Sequence, residues 1–229
     1  MKLKKATLFY YSLAEMPINI ALFPILVFIP KFYTGEMGVP LALAANIILA
    51  VRIFDVFTDP VVGYINDRTN TKWGRRRPWI AMATPLLMLS IYMLFIPPEG
   101  AGALHLFLWM FLLSIATTML IIPYYAWGAE LSPDYNERSR ITGWRSISGV
   151  VGSLSAQLIP TIALVFFGLG GSTNVLYIVG IASVIIMPIC VFLTVSKVPE
   201  SKDYIKSNIS PIKGFKIMLE NSPFKRLIM

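Results

Sequence analysis

Six long apolar blocks divide this sequence, and they constrain the fold more than any other feature. A helix needs about 20 predominantly apolar residues to cross the hydrocarbon core of a bilayer. The blocks that reach this length are Leu8–Phe32, Val39–Asn66, Trp79–Pro97, Ala103–Leu131, Thr142–Leu169 and Val175–Val198. Only 14% of the residues are charged, whereas a soluble domain carries about 25%. The sequence therefore predicts an all-α integral membrane protein with six transmembrane helices.

The basic residues are distributed unevenly among the segments that connect these blocks. Lys31 lies at the end of the first block, beside one set of connectors, and Arg52 lies within the second block. The other eighteen of the twenty Lys and Arg residues lie in or beside the alternate connectors. Loops rich in Lys and Arg stay on the cytoplasmic side of a membrane. We therefore expect a multi-pass protein of the plasma (bacterial inner) membrane with a cytoplasmic N-terminus. The net charge of +8 is then a feature of topology, and we predict no nucleic-acid partner.

Three charged residues lie inside the second block. Arg52, Asp55 and Asp59 are spaced i, i+3, i+7, so they project from one helix face. Each charge costs roughly 2.5–3.5 kcal/mol at the centre of a spanning helix, and the three sum to −1 when both acids are ionised. A monovalent cation or a proton would neutralise the group, and carboxylate oxygens suit a hard metal cation such as sodium. We predict a cation site at Asp55 and Asp59, to which Thr58 and Thr118 add hydroxyl oxygens.

The same residues also allow an arrangement without a bound cation. Arg52 would then pair with Asp55, and Asp59 would be protonated or paired with a distant helix. Glu15, near one end of the first block, could bind substrate or cation, or it could instead pair with an arginine of a loop.

Two connectors carry acids and bases that could bond to each other. The candidate residues are Asp67, Arg68, Gly74, Arg75 and Arg76 between the second and third blocks, and Glu130 and Arg138 between the fourth and fifth. A basic loop sets topology whatever else it does. We further hypothesise that these two connectors form salt bridges that break when a cytoplasmic gate opens.

Several of these motifs resemble the glycoside–pentoside–hexuronide:cation symporters, the melibiose permease-like family of the major facilitator superfamily. The matching runs are RIFDVFTDP at 52–60, KWGRRRPW at 72–79, SPDYNERSR at 132–140 and WRS at 144–146. The resemblance extends over all 229 residues and implies the N-terminal half of a twelve-helix major facilitator fold. Residues 1–198 would form the six-helix transmembrane bundle. Residues 199–229 would form a cytoplasmic middle loop with an amphipathic helix and the start of a seventh transmembrane helix.

The resemblance also implies roles for individual residues. The cation ligands would be Asp55, Asp59 and Thr118, with Thr58 in place of a usual asparagine. The substrate-binding residues would be Asn19, Arg52, Tyr125 and Arg145. Asn19 and Ile121 stand where melibiose-type members keep acids that hold sugar hydroxyls, so a solute other than a galactoside is expected.

Together these inferences predict a secondary symporter of sugars or glycosides that is coupled to sodium or protons and works by alternating access. Its partners would be a small solute, a monovalent cation, the lipid bilayer and the C-terminal half of the same protein, with no cofactor beyond the coupling ion. An enzyme is not expected, because the sequence offers no nucleophile–base pair or metal constellation. The alternatives are a symporter of lysolipids or other organic solutes with the same fold, and a non-transporting six-helix fragment or partner subunit.

Overall fold

The computed structural model describes residues 2–168 and 170–200, and within these residues six helical spans are long and apolar enough to cross a membrane. The helices are α1 (Lys5–Ser12), α2 (Glu15–Val27), α3 (Ile29–Gly35), α4 (Leu41–Arg68), α5 (Arg77–Phe95), α6 (Ala103–Glu130), α7 (Tyr135–Phe167) and α8 (Ser172–Lys197). The all-α membrane fold expected from the sequence is confirmed. The predicted amphipathic helix and seventh span lie outside the described residues.

The first apolar block forms three helices instead of the single helix that its length predicts. α1 ends at Ser12 and α2 begins at Glu15, because Pro17 has no N–H to donate to the carbonyl of Leu13. The N–H of Met16 donates to that carbonyl instead, at 3.3 Å. A second break separates α2 from α3, which has a proline in its first turn. The first break places Glu15 at the start of a helix and inside the bundle.

The fifth span begins seven residues before the predicted Thr142. Asp134 caps α7, since its side chain accepts a hydrogen bond from the backbone N–H of Glu137 at 2.9 Å. Such a cap satisfies one of the free N–H groups in the first turn of a helix. The expectation that Arg138 lies in a loop is therefore wrong, because this residue belongs to the first turns of α7. The bounds of α4, α5, α6 and α8 agree with the apolar blocks to within three residues.

Close backbone contact joins α2 to α7. A Cβ atom at Gly152 would overlap the carbonyl oxygen of Met16, and one at Gly149 would lie 3.2 Å from the amide nitrogen of Asn19. Small residues allow membrane helices to approach in this way. The two glycines therefore hold the start of α2, with Glu15 and Asn19, directly against the middle of α7.

α4 and α7 are the least covered helices of the bundle. Only 17% and 22% of their most apolar stretches are buried, whereas the other four spans bury 39–56%. Large apolar side chains such as Val56 and Phe57 of α4, and Ile147 and Val150 of α7, are more than half exposed. Both helices thus present apolar faces to lipid or to further helices outside the described part of the chain.

The segments rich in basic residues meet at one end of the bundle, which we call the basic end. The N–H of Leu3 donates to the carboxylate of Glu137 at 3.1 Å, and the indole N–H of Trp127 donates to the carbonyl of Pro199 at 3.0 Å. Arg75, from the α4–α5 loop, contacts Glu130 at the end of α6. The N-terminus, both polar connectors and residues 198–200 therefore share this end, as the charge pattern predicts.

Candidate functional site

Two acidic side chains of α4 meet two hydroxyl side chains of α6. The hydroxyl of Ser114 donates to Oδ1 of Asp55, and the hydroxyl of Thr118 donates to Oδ1 of Asp59 at 2.8 Å. Both pairs are 59 positions apart in sequence, so the two helices face each other in one register. Since each helix rises about 1.5 Å per residue, the pairs lie about 6 Å apart along the helices.

These pairs lie in a cavity of about 290 Å³ between α2, α4 and α6. Its wall is mostly apolar, with Leu22 from α2 and Ile121 from α6 among its members. The hydroxyl of Thr117 also lines the cavity, is buried, and has no hydrogen-bond partner within the described residues. Electrostatic interactions are strengthened by such apolar walls, because water screens them less. The cavity combines carboxylates, hydroxyl groups and a low local polarity.

Arg52 gives this group only weak compensation. Its Nη1 atom lies 3.5 Å from Oδ2 of Asp55, and 60% of the arginine side chain is exposed. Exposed ion pairs contribute about 0–1 kcal/mol. Within residues 2–168 and 170–200, no basic side chain is paired with Asp59, whose recorded partner is the Thr118 hydroxyl. The hypothesised Arg52–Asp55 pair is therefore present, and it leaves Asp59 without a basic partner in the described structure.

A second polar group surrounds Glu15 at the start of α2. The hydroxyl of Tyr125 donates to Oε1 of Glu15 at 3.0 Å, and the guanidinium carbon of Arg145 lies 3.8 Å from the centre of the Tyr125 ring. The side-chain amide of Asn19 donates to the backbone carbonyl of Glu15 at 2.9 Å. Three of the four predicted substrate residues thus lie together, while the fourth, Arg52, lines the acidic cavity.

The two polar connectors are bonded to each other at the basic end. The guanidinium of Arg76, only 4% exposed, contacts Asp67 at 2.8 Å and Glu130 at 2.6 Å. It also bonds to the side-chain carbonyl of Asn66, and Arg75 bonds to the same Glu130 carboxylate. We call Asn66, Asp67, Arg75, Arg76 and Glu130 the basic-end network. It ties the end of α4, the start of α5 and the end of α6 together.

Two charged candidate gating residues, Arg68 and Arg138, lie outside this network. The guanidinium carbon of Arg68 is 3.9 Å from the ring centre of Tyr64, one turn earlier on α4. The Nε of Arg138, in the first turns of α7, donates to the carbonyl of Ser132 in the preceding connector at 2.9 Å. Both contacts are local, and they do not bridge the two connectors.

Residues 10–229 match the family described as MFS/sugar transport protein. The chain belongs to this family. The chain is 28% identical to the isoprimeverose transporter of Lactiplantibacillus pentosus, in an alignment that covers 94% of this chain and 47% of the relative. The resemblance to the glycoside–pentoside–hexuronide:cation symporters is thereby confirmed, and with it membership of a family of transporters rather than enzymes.

Two further relatives show the range of proteins that this MFS/sugar transport chain resembles. It is 29% identical to the glucuronide carrier protein homolog of Escherichia coli, over 62% of this chain and 32% of that protein. It is 33% identical to the sodium-dependent lysophosphatidylcholine symporter 1 of Mus musculus, over 56% of this chain and 26% of that protein. The chain spans at most about half the length of these relatives. Its six spans agree with the N-terminal half of the major facilitator fold.

Thr58 does not lie in the cavity with the other predicted cation ligands, Asp55, Asp59 and Thr118. Its hydroxyl bonds to the backbone carbonyls of Phe54 and Asp55, at 3.3 and 3.4 Å, and it is not part of the cavity wall. Ser114, which sequence reasoning missed, contacts Asp55 from α6 instead. Its position four residues before Thr118 repeats the spacing of Asp55 and Asp59, and that repeated spacing was the signal that could have found it.

Glu200 is a second polar residue that sequence reasoning missed. Its Oε1 atom accepts hydrogen bonds from the backbone N–H groups of Arg75 and Arg76, at 2.7 and 2.6 Å. A carboxylate at the start of α5 is favourable, because free N–H groups and the helix dipole meet there. Gly74 makes room for it, since a Cβ atom at Gly74 would overlap the Glu200 carboxylate. The backbone φ of +126° at Gly74 also favours glycine.

Within the described residues, no group of three or more His, Cys, Asp and Glu side chains is placed to hold a metal ion. Asp55 and Asp59, the predicted metal ligands, supply two carboxylates together with the hydroxyls of Ser114 and Thr118. This set contains only oxygen atoms, which are the ligands that hard cations prefer. The donor set therefore suits an alkali cation or a proton better than a transition metal.

Proposed function

We propose that the complete protein is a cation-coupled symporter of sugars or glycosides, for which this chain supplies the N-terminal half. The observation that carries the proposal is the group of Asp55 and Asp59 in the cavity between α2, α4 and α6. Asp59 has a hydroxyl partner and no basic one in the described structure, and Arg52 compensates Asp55 only weakly. The group is short of neutrality by one positive charge, which a sodium ion or a proton supplies.

Cation binding would change how α4 and α6 are held together. A bound monovalent cation, together with Arg52, would neutralise the two carboxylates and would be held by oxygens of both helices, so it would favour the arrangement in which Asp59 and Thr118 are close. If this arrangement raises the affinity for solute, the solute must raise the affinity for the cation by the same factor. Sodium is the first candidate, since one relative is named a sodium-dependent symporter, and a proton is the alternative.

The basic-end network would act as the cytoplasmic gate. Positive residues favour the cytoplasmic side, so the basic end, with the N-terminus, would face the cytoplasm. The bonds of Arg76 to Asp67 and Glu130 would be intact while the inner side is closed and would break when it opens. Rocking against the C-terminal half, which would cover the exposed faces of α4 and α7, would then expose the site alternately.

The group around Glu15 supports a polar solute. Tyr125 offers an aromatic face, and Asn19 and Arg145 offer hydrogen-bonding groups within the same group of contacts. Two relatives carry the names of an isoprimeverose transporter and a glucuronide carrier homolog, which favours sugars and glycosides.

A lysolipid is the second candidate solute. The apolar Ile121 lines the acidic cavity, and one relative is named a lysophosphatidylcholine symporter. An acyl chain would fit such a wall better than a free sugar would. Uptake of a lysolipid without uptake of any sugar would select this candidate.

The test is uptake by the full-length protein in proteoliposomes, with a panel of sugars and glycosides and with sodium, choline or a proton gradient outside. We expect a cation gradient to drive uptake and Asp59→Asn to lower the driven rate by at least about tenfold, as the loss of an interaction of roughly 1.4 kcal/mol would. Glu99→Gln removes an exposed acid from the α5–α6 loop and serves as the matched control. Unchanged cation-driven uptake in Asp59→Asn would refute the cation site.

A further inference from the structure

A groove between α5 and α8, which we call the α5–α8 groove, is separate from the acidic cavity. Its volume is about 530 Å³, and no described residue lines both. The two helices touch at the end away from the basic end, where a Cβ atom at Gly180 would lie 2.8 Å from Cβ of Phe95. Nearer the basic end, Pro85 of α5 and Pro188 of α8 both line the groove. A volume of this size is typical of a ligand site.

The α5–α8 groove is about as long as one leaflet of a bilayer is thick. On α5 it extends from Arg77 to Met88, a rise of about 16 Å. On α8 it extends from Ser196 back to Pro188, a rise of about 12 Å. The hydrocarbon core of a bilayer is about 30 Å thick, so one leaflet supplies about 15 Å of it. An acyl chain whose head group lies at the basic end would therefore follow the groove along its whole length.

The wall of the groove suits hydrocarbon better than it suits a sugar. Val191 and Phe192 contribute apolar side chains to it. The two hydroxyl groups in the wall bond within their own helices, since Thr84 donates to the carbonyl of Ile80 at 2.7 Å and Ser196 donates to the carbonyl of Phe192. A sugar would exchange hydrogen bonds with water for contact with this wall, which is unfavourable. An acyl chain has no such bonds to lose.

The mouth of the groove at the basic end has residues that suit a lipid head group. Trp73 lines it and is 54% exposed, and tryptophan is enriched where a membrane meets water. Arg77 lines it too, and its Nη2 donates to the carbonyl of Val198 at 2.7 Å. A guanidinium carries five N–H donors, and 23% of this side chain is exposed. Arg77 can therefore also donate to a group that enters the groove.

The charge around this mouth favours an anionic group. Within the described residues, the recorded ion pair of Arg77 is with Glu200, whose Oε2 lies 3.8 Å from Nε. That distance is too long for a hydrogen bond, and the other oxygen of Glu200 is held by N–H groups of the α4–α5 loop. Lys72 and Lys197, both exposed, are next in sequence to lining residues. Basic pockets of this kind between transmembrane helices bind anionic lipid head groups.

We propose that the α5–α8 groove binds one molecule of an anionic phospholipid, phosphatidylglycerol, from the leaflet at the basic end. The phosphate accepts hydrogen bonds from Arg77, and one acyl chain lies along the groove as far as Met88 and Pro188. The lipid joins α5 to α8 and is not the transported solute, because the groove is separate from the acidic cavity. The proposal goes beyond the symport function and does not depend on which solute is carried.

The test is native mass spectrometry of the purified full-length protein in detergent, titrated with phosphatidylglycerol or with phosphatidylcholine that carries the same palmitoyl and oleoyl chains. We expect the first phosphatidylglycerol to bind at least about fivefold more tightly, because basic residues near the head group favour anionic lipids. Equal affinities would overturn the proposal, since the protein would then hold both lipids as a general solvent. Glycerol 3-phosphate, which has no acyl chain, should not displace the lipid at equal concentration. Displacement would mean that the site binds free phosphate, and it would also overturn the proposal.

One pair of variants tests the head group. Arg77→Gln removes the proposed phosphate donor, and we expect it to lower the affinity for phosphatidylglycerol by about tenfold, as expected for a hydrogen bond to a charged group. Arg68→Gln removes an exposed cation from the end of α4 and should leave the affinity unchanged. Equal losses in the two variants would show that the lipid responds to the overall charge of the basic end, and the proposal would be wrong.

A second pair of variants tests the acyl chain. Ala81→Trp fills the groove without changing any charge, and we expect it to weaken phosphatidylglycerol binding by at least about tenfold, because the chain loses its apolar contacts. Leu89→Trp adds the same ring to an exposed position of α5 outside the groove and should have no effect. Unchanged affinity in Ala81→Trp would refute the proposal. Either pair decides the question if a variant of the other pair does not fold.

Discussion

The acidic cavity and the basic-end network are both built from charged residues, yet they differ in how completely those charges are satisfied. In the network, the buried Arg76 guanidinium bonds to Asn66, Asp67 and Glu130. In the cavity, the Asp59 carboxylate has one hydroxyl partner and no basic one within the described residues. The network pairs opposite charges, although Nε of Arg76 and Nδ2 of Asn66 are buried without a hydrogen-bond partner among the described residues. A paired charge stabilises an arrangement, whereas a carboxylate without a basic partner can be stabilised further by a bound cation. We therefore expect the network to stabilise the bundle in the state described, and the cavity to be the place where ligand binding changes stability.

The largest expected effect is that of sodium on the stability of the protein, because the cation would bind in the acidic cavity. A cation that binds only the folded protein stabilises it by about 2.7 kcal/mol at 100 times its Kd. We expect sodium, compared with choline, to raise the unfolding midpoint of the detergent-solubilised protein, and Asp59→Asn to abolish that rise. Without sodium, Asp59→Asn should be at least as stable as the wild-type protein, because a carboxylate without a basic partner has been removed. If sodium still raised the unfolding midpoint of Asp59→Asn, the acidic cavity would not be the region whose stability depends on the cation.

Arg76→Met should destabilise the protein and leave its response to sodium unchanged. The substitution leaves Asp67 and Glu130 without their buried donor, and we expect a loss of about 2 kcal/mol in the free energy of unfolding. The shift produced by sodium should stay the same, because the cavity is untouched. Arg68→Met is the matched control, since that exposed side chain packs on Tyr64 of its own helix. Equal losses in the two variants would show that the network contributes no special stability.

Arg52→Gln should have the smallest effect on stability. It tests how far Arg52, and not a bound cation, compensates the carboxylates of the cavity. The side chain is mostly exposed and 3.5 Å from Asp55, so its removal should change the free energy of unfolding by less than about 1 kcal/mol. It also removes a positive charge that competes with a cation. Sodium affinity, measured from the dependence of the unfolding midpoint on sodium concentration, should therefore rise. A fall in affinity would mean that Arg52 positions the carboxylate.

Hydropathy and charge predicted the spans and the acids of the cavity, because both depend on the cost of placing groups in a bilayer. Four of the six spans agree with the apolar blocks to within three residues. The errors came from local backbone chemistry: Pro17 interrupts the first span, and the Asp134 cap starts α7 early. Neither a missing N–H nor a cap changes the hydropathy of a segment, so hydropathy gave no sign of them.

Pairings between helices could not be predicted in the same way. The bonds of Ser114 to Asp55 and of Tyr125 to Glu15 depend on the register of α6 against α4 and α2, which one sequence does not specify. Glu200 is a similar case, because it lies 124 residues from the Arg76 N–H to which it bonds. The residue types indicated a site, and the packing of the helices decided which residues meet there.

Glu200 attaches the chain that follows α8 to the loop between α4 and α5. The chain that leaves α8 is held by two backbone N–H groups of the α4–α5 loop, at Arg75 and Arg76, and by the indole of Trp127 at Pro199. Residues 198–200 therefore fix the end of α8 to the start of α5 and to the end of α6 at the same time. The same loop carries the buried Arg76 guanidinium, so a displacement of the end of α8 would be transmitted directly to the basic-end network.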